Sequence, residues 1–473
     1  MVIESINKNI DGGKAFAEGA YGCVFRPALK CKNETHRRDG VSKLMMTDKS
    51  YSEYNEISGF LKVLSKIPNH RSLFMFPHNI CRVAPLDKKI DLPNFNKNCD
   101  HFSKKGKINS KTINKPSNLN KLRIINLPDG GNDVDIKMHE IKTPNDLLKL
   151  NNSLLRLLKY GIVPMNYYKI YHFDIKDTNV LIDNDFTARL TDWGLSGMID
   201  SKDAIPSIIA NRPLQSNLPF SNILFNPGTL SRYDDFYNQN KQDYTFDKVI
   251  DFMTDEFDFI SRDVGHGHYD YLEPIYRYIF NDKGFSLKHE IITYISQVVF
   301  EWKHPKYGFD LKKYFFKVFL PNADIWGFIT IYFSFFSESA KMNNNNPIFF
   351  HKLRQLFIRY LFTNSHKPIN IKDLFIDIKD LNNFLKKNDY VDFIPTSPRS
   401  PETKFLHSTK TISFNVVQTG KKKNVEKIMK RASKNKTRKK TSMKTHKSQS
   451  TQSTIKETKK KRLYTSRRVK RKI

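Results

Sequence analysis

Cysteine is scarce in this chain: four residues in 473, Cys23, Cys31, Cys81 and Cys99, with no Cys-x-x-Cys pair. That spacing argues against both a zinc ribbon and a disulfide scaffold, so reduced thiols in an intracellular protein are expected. Long apolar runs are missing too. The N-terminal MVIESINKNIDGG has no apolar stretch of the kind a secretory leader carries. The longest apolar run, from Ile325 to Phe336, covers about 12 residues where a bilayer needs about 20, and is expected to form a buried helix. A soluble protein without membrane partners is the expectation.

Acidic residues almost vanish from the end of the chain. From Lys421 to Ile473, 23 Lys and Arg stand against 2 Glu, so this stretch holds +21 of the formal net charge of +32. The charge belongs to a tail. Apolar residues are too few from about position 395 onward to bury a core, and residues 395–473 are expected to be disordered. Aromatics are nearly absent from the basic stretch, with Tyr464 alone. Base stacking is therefore not expected, and binding of nucleic acid or another acidic partner through 421–473 would be nonspecific.

What is present is concentrated in YHFDIKDTNVLIDNDFTARLTDWG, from Tyr171 to Gly194. Two short β-rich runs, Val180 to Ile182 and Thr187 to Leu190, flank the turn Asp183-Asn184-Asp185 and predict a hairpin. A hairpin sets its two outer ends side by side, so Asn179 and Asp192 would converge near Asp174. Two carboxylates and an amide oxygen suit Mg²⁺, a hard cation that takes oxygen ligands.

HFDIKDTN resembles the protein-kinase catalytic loop, and Asp192-Trp193-Gly194 resembles the Asp-Phe-Gly triplet that follows it. Other parts similar to that family occur in its order. Phe16 to Val24 resembles the glycine-rich hairpin, with Gly19, Gly22 and Val24 matching and Ala17 in place of the first glycine. Lys43 lies in an apolar strand about 20 residues after that hairpin. A helix expected near residues 50–66, with Ile57, Phe60, Leu61 and Leu64 on one face, offers Glu53 or Glu56 as the partner of Lys43, Glu53 being favoured. Residues 74–83 and 121–126 are expected strands, and the polar stretch 85–120 between them a mobile insertion. Aligning Gly130-Gly131 with the family puts Ile125 at the position that closes the adenine pocket. Asn126, Leu127 and Pro128 then form the hinge. An amphipathic helix is expected over 147–160. Residues 221–319 form a second, mostly helical insertion. Asp324-Ile325-Trp326-Gly327 partly resembles the start of the central helix of the larger lobe, whose buried aspartate accepts hydrogen bonds from the catalytic-loop backbone.

The resemblance implies an α+β, two-lobed kinase-like fold: residues 1–128 as a β-rich small lobe with the hinge, 129–394 as a mainly helical large lobe, and 395–473 as the basic tail. It implies an ATP- and Mg²⁺-dependent Ser/Thr protein kinase, similar to divergent kinases of large double-stranded DNA viruses, acting on protein substrates in a host cytoplasm, nucleus or virion. Asp174, Lys176 and Lys43 would be catalytic. Asn179 and Asp192 would hold the metal. Ala17, Gly19, Gly22, Val24, Lys43, Glu53, Ile125, Asn126, Leu127 and Pro128 would bind the nucleotide. Phe173 stands where many of these kinases carry the arginine that pairs with a phosphorylated activation segment, and Phe220 where that segment ends in glutamate. Activity independent of segment phosphorylation is the consequence expected. Two competing readings are an inactive pseudokinase scaffold and a protein whose main function is the basic tail.

Overall fold

A computed structural model describes residues 14–19, 22–34, 40–201, 204–210, 212–280, 284–306, 308–336 and 347–386. The tail expected to be disordered lies outside them. The chain is mixed α+β, with a small antiparallel sheet followed by a helical region.

Alternating burial organises the sheet. Strands β1 (Lys14–Gly19), β2 (Gly22–Arg26), β3 (Val41–Met46), β4 (Asn79–Arg82) and β5 (Leu122–Leu127) pair antiparallel in the order β1-β2-β3-β5-β4. Cys23, Phe25, Ser42, Leu44 and Ile124 are buried on one face. Val24 and Lys43, one residue out of step, lie on the other. Helix α1 (Thr47–Leu64) follows β3 directly and buries Ile57, Phe60 and Leu64, which recur at helical spacing.

Residues 85–120 are not the mobile loop their composition suggests. Helices α2 (Phe95–Asn98), α3 (Asp100–Gly106) and α4 (Pro116–Leu119) fold there. Leu86, Leu92, Phe95, Phe102, Ile108 and Ile113, spread thinly among Lys and Asn, all enter one core with Cys23, Phe25, Leu44 and Ile124. The insertion is a lid on the sheet. The cysteines depart from expectation in the same place: Cys23 bonds Cys99 and Cys31 bonds Cys81. Separations of 76 and 50 residues hide these pairs from any local motif. The expected strand over 74–83 shrinks to β4, with Phe74 making only a bridge to Leu190.

Beyond β5 the chain forms β6 (Asn132–Asp133), α5 (Val134–Glu140), α6 (Pro144–Leu157), α7 (Val163–Tyr167) and β7 (Ile170–Tyr171). Asp133 and Thr143 cap α5 and α6, accepting from the Ile136 and Asp146 amides, and Pro144 fits the first turn. The expected hairpin follows as β8 (Val180–Ile182) and β9 (Ala188–Leu190), and β10 (Gly197–Met198) pairs with β7. Gly130 and Gly131 seat the connecting segment against β8. A Cβ on Gly130 would lie 2.6 Å from the Leu181 side chain, and one on Gly131, at φ +87°, 2.1 Å from the Ile182 carbonyl oxygen.

After the short helix α8 (Ser207–Ala210), the insertion 221–319 is mostly helical as expected: α9 (Pro227–Asn240), α10 (Phe246–Asp263), α11 (Tyr269–Phe280) and α12 (Leu287–Glu301). The apolar run ending at Phe336 belongs to a longer helix, Leu311–Phe336, of 26 residues. By length and composition that helix could cross a membrane, yet 94% of its most apolar window is buried inside the protein. Tyr314, Phe315, Val318 and Phe319 extend the buried stretch toward its N-terminus. Helices Pro347–Phe357 and Ile371–Lys386 complete the described chain.

Candidate active site

Strand register gathers the expected nucleotide-binding residues into one row. Ala17 pairs with Val24, Val24 with Lys43, and Lys43 with Ile125. Directly opposed residues share a sheet face, so Val24, Lys43 and Ile125 line up across three strands. Gly19 and Gly22 close the β1–β2 turn. At Gly22 a Cβ would meet the Leu44 carbonyl oxygen at 2.4 Å, so only glycine lets β2 lie this close to β3.

Lys43 reaches out of that row. Its Nζ donates to Glu53 Oε1 at 2.7 Å and lies 3.8 Å from Asp192 Oδ1. Burial alone would lower the Lys43 ammonium, but Glu53 and Asp192 outweigh it and hold its pKa above the ordinary value. Glu56, one turn on, is exposed and makes no ion pair with Lys43. Burial and the neighbouring Glu53 raise its carboxyl. The choice between the two glutamates falls to Glu53.

Asn179 and Asp192 meet through the hairpin. Val180 pairs with Leu190, and the Thr191 amide donates to the Asn179 carbonyl at 3.0 Å, leaving Asp192 as the next residue. Asp192 has φ +62°, a left-handed conformation uncommon for a non-glycine residue, and its side chain is half exposed toward Lys43. Trp193 is buried behind it. The Trp193 indole donates to the Met75 carbonyl at 2.9 Å and stacks on Phe76, with ring centroids 5.3 Å apart. This anchors the strained turn.

Asp174 is buried and held at both oxygens. Oδ2 accepts from Asn179 Nδ2 at 2.9 Å and Lys176 Nζ at 3.1 Å, and Oδ1 accepts from Asn217 Nδ2 at 2.9 Å. Arg212 Nη2 lies 3.7 Å from Oδ1. Burial would push the Asp174 carboxyl up, but Lys176 and Asn217 pull it below its ordinary value, so it is ionised at neutral pH. One shell further in, Asp324 accepts from the backbone amides of His172 and Phe173 at 2.9 and 2.8 Å and from Asn166 Nδ2 at 3.1 Å. Burial pushes its carboxyl up to about 7 against those amides. His172 is fully buried, with Nε2 3.0 Å from the Thr191 carbonyl oxygen and its pKa lowered by burial, so the ring is neutral.

The segment expected as a hinge differs. Asn126 and Leu127 belong to β5, where Leu127 pairs with Val41. The Asn126 carbonyl accepts from the His78 amide at 2.7 Å, and its side chain accepts from Ser42 Oγ and donates to Asn79. Its polar groups are committed to the sheet, and of the three hinge positions only Pro128 lies beyond the strand. Strand pairing runs one residue past the expected strand end at Asn126.

Four functional neighbours escaped the sequence reading: Asn166, Arg212, Asn217 and His268. Asn217 stands just before the Leu-Pro-Phe stretch that marked the segment end. The Gly265-His266-Gly267-His268 turn inside a helical stretch was a readable loop signal. Phe220, read only as a lost carboxylate, is fully buried among Tyr276, Tyr294, Trp326 and Phe362 and anchors the segment by aromatic packing.

Elsewhere, a cavity of about 480 Å³ includes Tyr54, Arg71, Met75 and Pro128 in its lining, but none of Lys43, Asp174, Asn179 or Asp192. Cys31, Glu34 and Cys81 lie close enough together for a metal, yet both sulfurs are bonded to each other. No protein-family model matches the chain, and a search of curated proteins finds no match either.

Proposed function

We propose that this chain is a Ser/Thr protein kinase with a two-lobed kinase-like fold, transferring the γ-phosphate of ATP to protein hydroxyls. The observation that carries the reading is one convergence. A strand lysine held by a helix glutamate sits 3.8 Å from Asp192, at the end of the hairpin whose other end is Asn179, beside a buried, ionised Asp174.

Phosphoryl transfer passes through a loose transition state, so positioning and charge neutralisation matter more than covalent chemistry. Lys43, kept cationic by its two carboxylates, would steady the α- and β-phosphates. Val24 and Ile125 would wall the adenine side, and the glycine turn would lie over the phosphates. Asp192 and Asn179 fit Mg²⁺: one offers a half-exposed carboxylate, and the other, with Nδ2 engaged by Asp174, keeps its amide oxygen for coordination. Magnesium, when bound, supplies charge neutralisation on the phosphate oxygens. Asp174 would orient the acceptor hydroxyl and take its proton late, since its depressed pKa makes it a weak base. Lys176, only partly buried, would meet the γ-phosphate from its position on Asp174.

Purified protein incubated with Mg·ATP and a mixed peptide library should label Ser or Thr, and mapping the sites gives residue preference in the same experiment. Labelling should vanish without Mg²⁺ and in Asp174→Ala and Lys43→Ala. Equal labelling by wild type and both variants would sink the proposal.

A further inference from the structure

The helical insertion 221–319 reaches the candidate site at the loop 264–268. Residues 264–268, between α10 and α11, lie against the segment that follows Asp192. Gly267 has φ +57°, and a Cβ there would sit 2.1 Å from the Leu214 carbonyl oxygen. The His268 amide donates to that same oxygen at 2.9 Å. Two residues on, the Ser216 amide donates to His268 Nδ1 at 3.1 Å, and Ser216 Oγ lies 3.0 Å from it. From the opposite side, Trp326 Nε1 donates to the Ser216 carbonyl at 3.2 Å. A Cβ on Gly327 would meet both Ile175 and Asn217 carbonyl oxygens, at 2.5 and 3.1 Å. Ser216 is thus gripped between the insertion and the helix Leu311–Phe336. The next residue, Asn217, is 1% exposed and donates to Asp174 Oδ1. Arg212, from the same segment, donates to the Phe173 carbonyl at 2.8 Å.

We infer that the loop 264–268, through His268, is a built-in brace that fixes Ser216 and so holds Asn217 against Asp174, ordering the acceptor side of the site without a phosphate. The inference rests on the kinase reading above. His268 is a positioning residue: it touches Ser216 and acts on Asp174 only through the chain. The chemistry suits the task. Nδ1 must carry a lone pair to accept the Ser216 amide, so the ring is neutral with its proton on Nε2. Burial, with Lys176 and Arg212 nearby, lowers the His268 pKa and favours that state. Phe173 leaves no arginine at its position to grip a phosphate, and Arg212 brings a guanidinium to that backbone from the segment itself.

The test compares His268→Ala with His268→Asn, whose Oδ1 restores an acceptor near the place of Nδ1. Phosphoryl transfer to a peptide substrate is measured together with amide hydrogen exchange over residues 212–218. His268→Ala should lower kcat roughly tenfold and speed exchange at Ser216 and Asn217, with KM for ATP unchanged. His268→Asn should stay within about threefold of wild type, since it keeps the acceptor. Should the alanine variant not fold, Ser216→Ala removes one donor at little packing cost and should lower kcat by about twofold to threefold. An unchanged kcat and exchange in these variants, or an asparagine variant as impaired as alanine, overturns the brace while the kinase reading stands. A wild type that transfers no phosphate overturns both.

Discussion

The two halves of the candidate site are held by opposite means. On the sheet, the group proposed to meet the phosphates is a single long side chain, Lys43, placed by strand register and held by Glu53 and Asp192. The rigidity there lies behind it, on the other face, where two disulfides and a folded insertion pin β2 and β4. In the helical region the carboxylate proposed to orient the acceptor is itself fixed. Asp174 has donors on both oxygens, and its backbone neighbours hang on buried Asp324. Under the proposed kinase reading, a phosphate-binding lysine would follow its nucleotide, whereas a carboxylate that aims a hydroxyl would stay fixed, and each half would carry its stiffness where that task allows.

The sharpest way to break this comparison is to remove each reactive group. Asp174→Ala should reduce turnover by roughly 10³ to 10⁴ with little change in nucleotide affinity. Lys43→Ala should cost roughly 10² to 10³ and weaken ATP binding as well. Steady-state kinetics beside fluorescence titration of a nucleotide analogue separates the two. Equal effects on affinity would mean that the halves do not divide the labour.

Next in size is the covalent support. Closing loops of 76 and 50 residues restricts the unfolded chain by about 4 kcal/mol each in the chain-entropy view. Cys23→Ser with Cys99→Ser should lower the unfolding free energy of the sheet region, read from urea titration, by about 4 kcal/mol, and a strong reductant, which opens both bonds, by more. Unfolding of the helical region, followed by Trp326 fluorescence in a chain with Trp193 and Trp302 replaced by Phe, should shift far less. A loss shared equally by both regions would show that the insertion stabilises the whole chain.

What the sequence made legible follows the same division. The Lys43 strand, the α1 periodicity, the β8–β9 hairpin and Asp324 under the loop that holds Asp174 were readable because each is a local pattern of alternation, helical spacing or short motif. The lid at 85–120 was not readable, because its six apolar anchors are diluted among Lys and Asn and acquire meaning only against Cys23, Phe25 and Leu44. The disulfides failed for the same reason: pairing is a property of the folded sheet. Leu127 was read as hinge and not as strand because a glycine pair marks where a backbone must bend, not where strand pairing stops. His268, about 50 residues after Ser216, could be joined to it only by the fold.

A middle-sized effect probes the buried aspartate. Asn at position 324 keeps one acceptor oxygen but turns an NH₂ toward backbone donors that need an acceptor, which costs about 1 to 3 kcal/mol for each N–H left unpaired. The pH dependence gives a second reading. Burial raises the Asp324 carboxyl from 3.8 to about 7, so across that window the folded chain keeps a proton that the unfolded chain has released. Wild-type stability from this group is therefore greatest below the lower value and falls as pH rises toward the upper one. Asp324→Asn does not titrate, and its denaturant midpoints from pH 4 to 7 should lack that slope. The same slope in both proteins would assign it to another group.

The smallest effect is the most discriminating for the sheet half. Glu53 and Glu56 lie on one face of α1, and only Glu53 touches Lys43. Glu53→Gln keeps a hydrogen-bond acceptor but removes one of two charges that hold the ammonium, so kcat/KM should drop by roughly tenfold. Glu56, its carboxyl raised by burial and by neighbouring Glu53, makes no ion pair with Lys43, so Glu56→Gln removes only a charge beside Glu53 and should change kcat/KM by less than about twofold. The sign carries the argument. Loss of that charge leaves the Lys43–Glu53 pair as it is or tightens it, so a loss of activity in Glu56→Gln as large as in Glu53→Gln would mean that the lysine changes partners when nucleotide binds. Lys43 would then be steadied by the ligand and not by α1, and the fixed part of the sheet half would be only the disulfide-pinned face behind it.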